Sequence, residues 1–429
     1  MKILRIILAG LLPMALVIAI ESNSAAFHSG GVALCVGCHS IHGTDLPAIG
    51  GPSLLREQDA SSTCLFCHQV AGANGPMDYH VSTPFSELPL GIPPRQLTPG
   101  GDFGWLKKTY SWIPGPLRPP VFSSGERHGH NIVAADFLYD ADSTYSAAPG
   151  GSYPSNQLSC ISCHDPHGKY RRNIDGSIST TGTSIQGSGS LASSRTPEAN
   201  KAVGVYRLLG GKGYMPKSLA SGLAFVSDPP AAIAPDVYNR EESATQTRVA
   251  YGAGMSEWCR NCHPDMHTAA WPGKINLLHP AGNGAGLGVV KTSNYNAYIK
   301  SGDLSGLANT SYLSLVPFEE GTTDYVTLKA HAKSDDSWLV GPDSSSTQVM
   351  CLTCHRAHAS GWDGIMRWNA ETNYIVNNGF YAQEGQPEQP YGQGRSETEA
   401  LRAYYNRPAS KFSLSQDSLC NKCHIGIYP

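Results

Sequence analysis

The sequence predicts a chain of loops and short helices with very little sheet, built around groups other than its own apolar side chains. Three observations lead there. Glycine (46) and proline (30) are abundant in a chain of 429 residues, so few long segments can be regular. Charged residues are only 15% of the chain. The pattern Cys-x-x-Cys-His occurs six times, at Cys35/Cys38/His39, Cys64/Cys67/His68, Cys160/Cys163/His164, Cys259/Cys262/His263, Cys351/Cys354/His355 and Cys420/Cys423/His424, and uses all 12 cysteines. Two thiols at that spacing bond to the vinyl groups of one haem and the adjoining imidazole falls on its iron, the c-type attachment signature. A haem is a rigid plate with two apolar faces, so it can stand in for a core that these loops would not otherwise build. The expected fold class is a multihaem c-type cytochrome, mostly coil with short helices, organised around six stacked haem c groups and unfolded without them.

Other uses of cysteine fit poorly. A zinc site needs four ligands per ion and has no reason to place His after the second Cys every time. A disulfide scaffold would show varied spacings, because bridges close loops of any length. The formal charge of −3 gives no reason to expect nucleic-acid binding, and no nucleotide loop or hydrolytic triad is present. Lys169, Arg171 and Arg172, with Lys107 and Lys108 behind them, are candidate partners for haem propionates, and a solvated basic turn is the equal alternative. Asp136, Asp140 and Asp142 read more simply as a solvated acidic turn than as a calcium site.

Residues 1–26 read as a secretory signal, with Lys2 and Arg5 ahead of an apolar run from Ile6 to Ile20 and small residues Ser24, Ala25 and Ala26 before Phe27. The run is short for a membrane span and Pro13 interrupts it. Residues 27–429 are then one hexahaem chain with no later stretch able to cross a bilayer, exported to the outer surface, with the periplasm as alternative. The motif spacing is too irregular for a solenoid. The Pro/Gly-rich stretch 84–120 should be extended or turning coil, and Ser177 to Ser194 a surface loop. Short helices are expected at each motif and from Glu397 to Tyr405.

The chemistry turns on the histidines left over. Of 16, six are proximal ligands, leaving His28, His42, His80, His128, His130, His167, His267, His279, His331 and His358. Six haems need six distal ligands, so an imidazole is available for each. Bis-His ligation lowers the reduction potential and fills both axial positions, which makes electron transfer, not catalysis, the default function. His42, His167 and His358 each follow a motif as Cys-His-x-x-His. Once the first His is tied to iron, the second reaches at most about 11 Å along the chain and stays on the same side of that macrocycle. If such a residue is a ligand, it serves a different haem and forces two haems together. The preferred distal set is His42, His130, His167, His279, His331 and His358, with His28, His80, His128 and His267 as further candidates. For each, an ordinary hydrogen-bonded or surface histidine is the plain alternative.

Several long stretches carry a family resemblance: Phe27-His28-Ser29-Gly30-Gly31, Gly101-Asp102-Phe103-Gly104-Trp105-Leu106-Lys107-Lys108, Arg127-His128-Gly129-His130-Asn131, Cys163-His164-Asp165-Pro166-His167-Gly168-Lys169-Tyr170-Arg171-Arg172 and Cys354-His355-Arg356-Ala357-His358. With them the chain resembles the OmcS-type outer-surface hexahaem cytochromes, which polymerise into extracellular nanowires. The resemblance implies a continuous haem stack with alternating parallel and T-shaped contacts. It also implies that His42 ligates the haem of Cys351/Cys354/His355 in the neighbouring subunit, so that identical subunits are partners. Redox partner cytochromes, insoluble metal oxides and electrodes are the expected exchange partners. The competing functions are a monomeric periplasmic electron shuttle and, less favoured because every motif ends in His, a multihaem oxyanion reductase.

Overall fold

The computed structural model describes residues 35–40, 54–69, 80–115, 117–185, 189, 191–219, 222–236, 242, 247–266, 280–300, 303–313, 315–381 and 392–425. The expected signal, residues 1–26, lies outside them, as do His28, His42, His267 and His279. Among the described residues no helix is long and apolar enough to cross a membrane.

Each attachment motif folds as a single helical turn. The motif His N–H donates to the carbonyl of the first Cys, four residues back, at His39 (2.8 Å), His164 (3.1 Å), His263 (3.1 Å), His355 (3.0 Å) and His424 (3.1 Å). The remaining motif lies wholly inside helix α1 (Ala60–His68), whose N-cap Asp59 accepts from the Ser62 N–H at 2.7 Å. Residues i, i+3 and i+4 share one face of such a turn, so both thiols and the imidazole project to the same side.

The other helices are α2 (Met255–Cys259), α3 (Gly288–Ala297), α4 (Tyr325–His331), α5 (Cys351–Cys354) and α6 (Glu397–Ala403). Helices α1, α2 and α5 carry motif cysteines, and α6 starts where expected, at a capping box between Ser396 and Glu399. Helices α3 and α4 depart from the sequence reading; Asp324 caps α4 by accepting from the Thr327 N–H at 2.9 Å.

Sheet is confined to strands of two to four residues. β1 (Tyr110–Trp112) and β2 (Val121–Ser123) form an antiparallel ribbon inside the Pro/Gly-rich stretch. β3 (Arg171–Arg172), β4 (Ile178–Ser179), β5 (Ser184–Ile185) and β6 (Lys201–Gly204) make one sheet in the order β4-β3-β6-β5, so the expected 177–194 loop supplies two edge strands. β7 (Ala231–Ile233) pairs with β8 (Ala250–Ala253), and β9 (Tyr374–Asn377) lies between β10 (Phe380–Tyr381) and β11 (Gln416–Asp417).

The chain also builds more apolar interior than its composition suggested. Trp105, Trp362, Trp368, Tyr404 and Tyr405 join one buried cluster, because aromatic side chains on loops bury large areas without needing a regular element beneath them. Buried charge holds the loops to it. Arg356 and Arg367 flank Glu242 at 2.6 and 3.0 Å, and Lys108 meets Glu399 at 3.0 Å. Asp102 is fully buried and accepts from the N–H groups of Thr83 (2.9 Å), Gln96 (2.9 Å) and Gly104 (2.6 Å), and from the Thr83 hydroxyl.

Removing that carboxylate strands three main-chain donors in a dry site. Asp102→Ala is therefore expected to lower stability by roughly 3 kcal/mol, read from denaturant unfolding of the holoprotein.

Candidate haem-binding sites

Numbered in chain order, the motifs adjoin one another in that same order. Between motifs 1 and 2, burial raises the Cys38 thiol and the neighbouring Cys67 raises it further. Between motifs 3 and 4, burial and then Cys262 raise Cys163. Between motifs 5 and 6, burial pushes Cys354 up to about 12, with Cys420 and Cys423 adding to it. All three junctions run through the second cysteine of the odd motif.

The two intervening junctions are of another kind. Cys64 of motif 2 adjoins Cys160 of motif 3. Cys259 of motif 4 adjoins Cys351 of motif 5 in the same way. Here first cysteine meets first cysteine, and each contact has an identical fastening. The Cys160 N–H donates to Ser61 Oγ at 3.2 Å and the Cys351 N–H to Ser256 Oγ at 3.0 Å. Ser61 and Ser256 each stand three residues before the first cysteine of their own motif. Nothing in the sequence reading singled out these serines, whose shared offset becomes informative only once the motifs are known to pair.

Three spare histidines face motif histidines. The ring of His167 lies 6.4 Å from that of His39 and only 4° from parallel to it. His358 lies 6.4 Å from His164, edge-on, and His130 lies 6.1 Å from His263. A metal held between two trans imidazole nitrogens at about 2 Å each places the ring centroids roughly 6 Å apart. His167 and His358 thus turn away from the motif they follow and toward another.

The ring nitrogens are oriented to match. Nδ1 lies against a main-chain carbonyl in His39 (Leu54, 3.1 Å), His164 (Arg207, 2.7 Å), His263 (Pro149, 2.8 Å), His355 (Gly364, 2.8 Å) and His130 (Ala357, 2.8 Å). A carbonyl only accepts, so Nδ1 carries the proton and Nε2 presents its lone pair outward. Burial, with His164 beside it, pushes His358 down to about 3, and burial with His263 pushes His130 to about 4, so both rings stay neutral.

His128 is built differently. It is fully buried, with Nδ1 3.1 Å from the Trp105 carbonyl and Nε2 2.7 Å from Ser123 Oγ, so both nitrogens are engaged by protein. His331 donates from Nδ1 to Glu320 at 2.5 Å and stacks on Trp338 at 4.2 Å. His80 is buried next to motif 2, where the following Val81 N–H donates to the His68 carbonyl at 2.9 Å.

The basic candidates are largely absorbed by the fold. Arg172 donates to the carbonyls of Gly176, Pro229 and Pro230, Arg171 to that of Thr183, Lys107 sits 4.0 Å over the Tyr139 ring, and Lys108 holds Glu399. Arg356 was missed by the sequence reading. Its Nη1 reaches Glu242 and the Pro99 carbonyl, its guanidinium lies 3.4 Å from the centre of the Tyr405 ring, and Nε and Nη2 are buried with no hydrogen-bond acceptor among the described residues. In the acidic turn, Asp136 accepts from the Gln58 N–H and Asp142 from Thr144 and Tyr145, and no cation-binding cluster forms among the described residues.

Facing imidazoles at metal-bridging distance, neutral rings with outward Nε2, and thiol pairs on the same face of each turn define a multihaem c-type cytochrome. No family model matches the chain. It is 54% identical over 413 residues to the C-type cytochrome OmcS of Geobacter sulfurreducens, an alignment covering 93% of this chain and 94% of that one. Two solved structures from Geobacter sulfurreducens share the fold at 54% identity, covering 94% of this chain and all of theirs: the outer membrane cytochrome S filament, with a TM-score of 0.86, and the OmcS nanowires, with 0.85. The chain belongs to the OmcS family of c-type cytochromes.

A backbone approach seats His358. Gly101 has φ of 95°, and a Cβ there would lie 1.8 Å from the Ala359 carbonyl oxygen. Gly182 shares the left-handed conformation (φ 77°) but has nothing within 4 Å of that position. Gly101→Ala is expected to cost roughly 2–4 kcal/mol against about 1 kcal/mol for Gly182→Ala, compared by denaturant unfolding.

Proposed function

We propose that this chain carries six haem c groups, one on each motif, and conducts electrons along them as a subunit of an extracellular filament. The observation that carries this reading is that motifs 1 to 6 adjoin in unbroken order, each next to the one before it. Bound haem supplies a one-electron iron couple at each motif. The residues of the chain fix where those couples lie and keep other ligands off the iron.

In this reading His39 and His167 hold the first haem, His164 and His358 the third, and His263 and His130 the fourth. The remaining three haems draw on His42, His279 and His331, with His28, His80 and His267 in reserve, and His128 keeps a purely structural place. Following the family resemblance, His42 reaches the haem at His355 of the adjoining subunit. Three odd-numbered motifs then form a daisy chain, the second His of each serving the odd motif before it. The chain acts as an electron carrier rather than an enzyme, at the outer cell surface, exchanging electrons with other cytochromes and with insoluble metal oxides or electrodes.

Negative-stain micrographs of purified holoprotein should show filaments. Protein that stays monomeric under all conditions, and resists external protease on whole cells, would favour the periplasmic shuttle instead. Replacing a distal ligand exposes one iron, so His358→Ala should convert one haem of six from low spin to high spin by electron paramagnetic resonance. His128→Ala should leave all six low spin and show only a loss of stability, on the order of 2 kcal/mol.

A further inference from the structure

The rings of His39, His164, His263, His355 and His130 all turn Nδ1 to a main-chain carbonyl, and His331 does not. Its Nδ1 donates to Glu320 Oε2 at 2.5 Å. The other carboxylate oxygen, Oε1, accepts from Arg248 Nη2 at 2.6 Å, so ring, carboxylate and guanidinium form a line of three. The one comparable approach, Asp165 Oδ1 beside His167 Nδ1, is 4.0 Å, beyond hydrogen-bond reach, on a largely exposed ring.

Each member of the line is also held from a second direction. Arg248 is buried, with Nη1 donating to the Val340 carbonyl at 2.9 Å and its guanidinium 4.3 Å over the Tyr312 ring. The Glu320 N–H donates to the Tyr251 carbonyl at 2.8 Å, which fixes the backbone that carries the carboxylate. His331 ends helix α4 and stacks on Trp338, the two planes only 16° apart. The Glu320 side chain is 12% exposed, so little water competes for its oxygens. Nδ1 is thereby committed to the carboxylate, which leaves Nε2 for iron.

We infer that Glu320 is a positioning residue that lowers the reduction potential of the haem served by His331, with Arg248 holding its carboxylate in place. This rests on the reading of His331 as a distal ligand. An imidazole that donates Nδ1–H to an anion is a stronger electron donor at Nε2 than one that donates to a carbonyl, and so favours ferric over ferrous iron. The carboxylate also brings a negative charge near the metal, which opposes the arrival of an electron. Arg248 offsets part of that charge, but it bonds the oxygen that the ring does not use. Glu320 thus sets a step in the row of haems through a protein contact alone.

The test is a potentiometric titration of full-length holoprotein followed by electron paramagnetic resonance. Glu320→Gln keeps the shape of the side chain and removes its charge. It should shift one couple of six about tenfold toward the reduced form, about 59 mV upward for one electron, with all six haems still low spin. A six-haem Glu320→Gln with unchanged couples would overturn the inference, even if it were less stable, because a merely structural contact costs stability without moving a potential. The wild-type spectrum gives a second reading that needs no variant to fold. One low-spin signal should show the narrower spread of g values that marks imidazolate character, and six signals without it would also overturn the inference. His331→Ala leaving all six haems low spin would remove the ligand reading itself, an outcome distinct from an indifferent Glu320.

Discussion

Everything in this molecule depends on one short-range constraint, the hydrogen bond from each motif histidine to the carbonyl of its first cysteine. That single turn sets two sulfurs and an imidazole on one side of the backbone whatever surrounds it. It requires no long helix, which is why a chain this rich in glycine and proline can repeat it six times between loops. The loops need only deliver each turn to its place.

Delivery is the work of buried polar contacts rather than of regular structure. Asp102 gathers three main-chain donors around the turn that receives His358, and Glu242 ties Arg356 and Arg367 together beside motif 5. Such contacts are costly to break because the freed donors have no water to turn to. They hold the motif turns against one another and so set the approach of neighbouring haems.

How much of this the sequence revealed depended on the range of the interaction. The attachment motifs are local patterns and could be read outright, together with the mostly coil fold and the helix that begins at Glu397. The reach argument for Cys-His-x-x-His was also local, and His167 and His358 do face motifs other than their own. The sequence ranked His130 above His128 without a physical ground for it, because what separates them is tertiary: the Trp105 carbonyl and Ser123 hydroxyl close on one ring, while the other turns to His263. Arg356 and the pair Ser61 and Ser256 were invisible for the same reason, since their partners lie far off along the chain. Lys108 and Arg172 read in sequence as propionate partners or solvated basic residues, and they are committed to Glu399 and to backbone carbonyls.

The facing imidazoles also bear on how such a chain matures. His39 meets a ring that follows it in sequence, His167, and His164 meets a later one still, His358, whereas His263 meets a ring made before it, His130. A polypeptide threaded out of the cell from its N-terminus would present its early sites half-built and complete them only as downstream segments arrive. In the proposed pairing, a chain cut short before His167 would leave the site at His39 open, and one cut short before His358 would leave the site at His164 open.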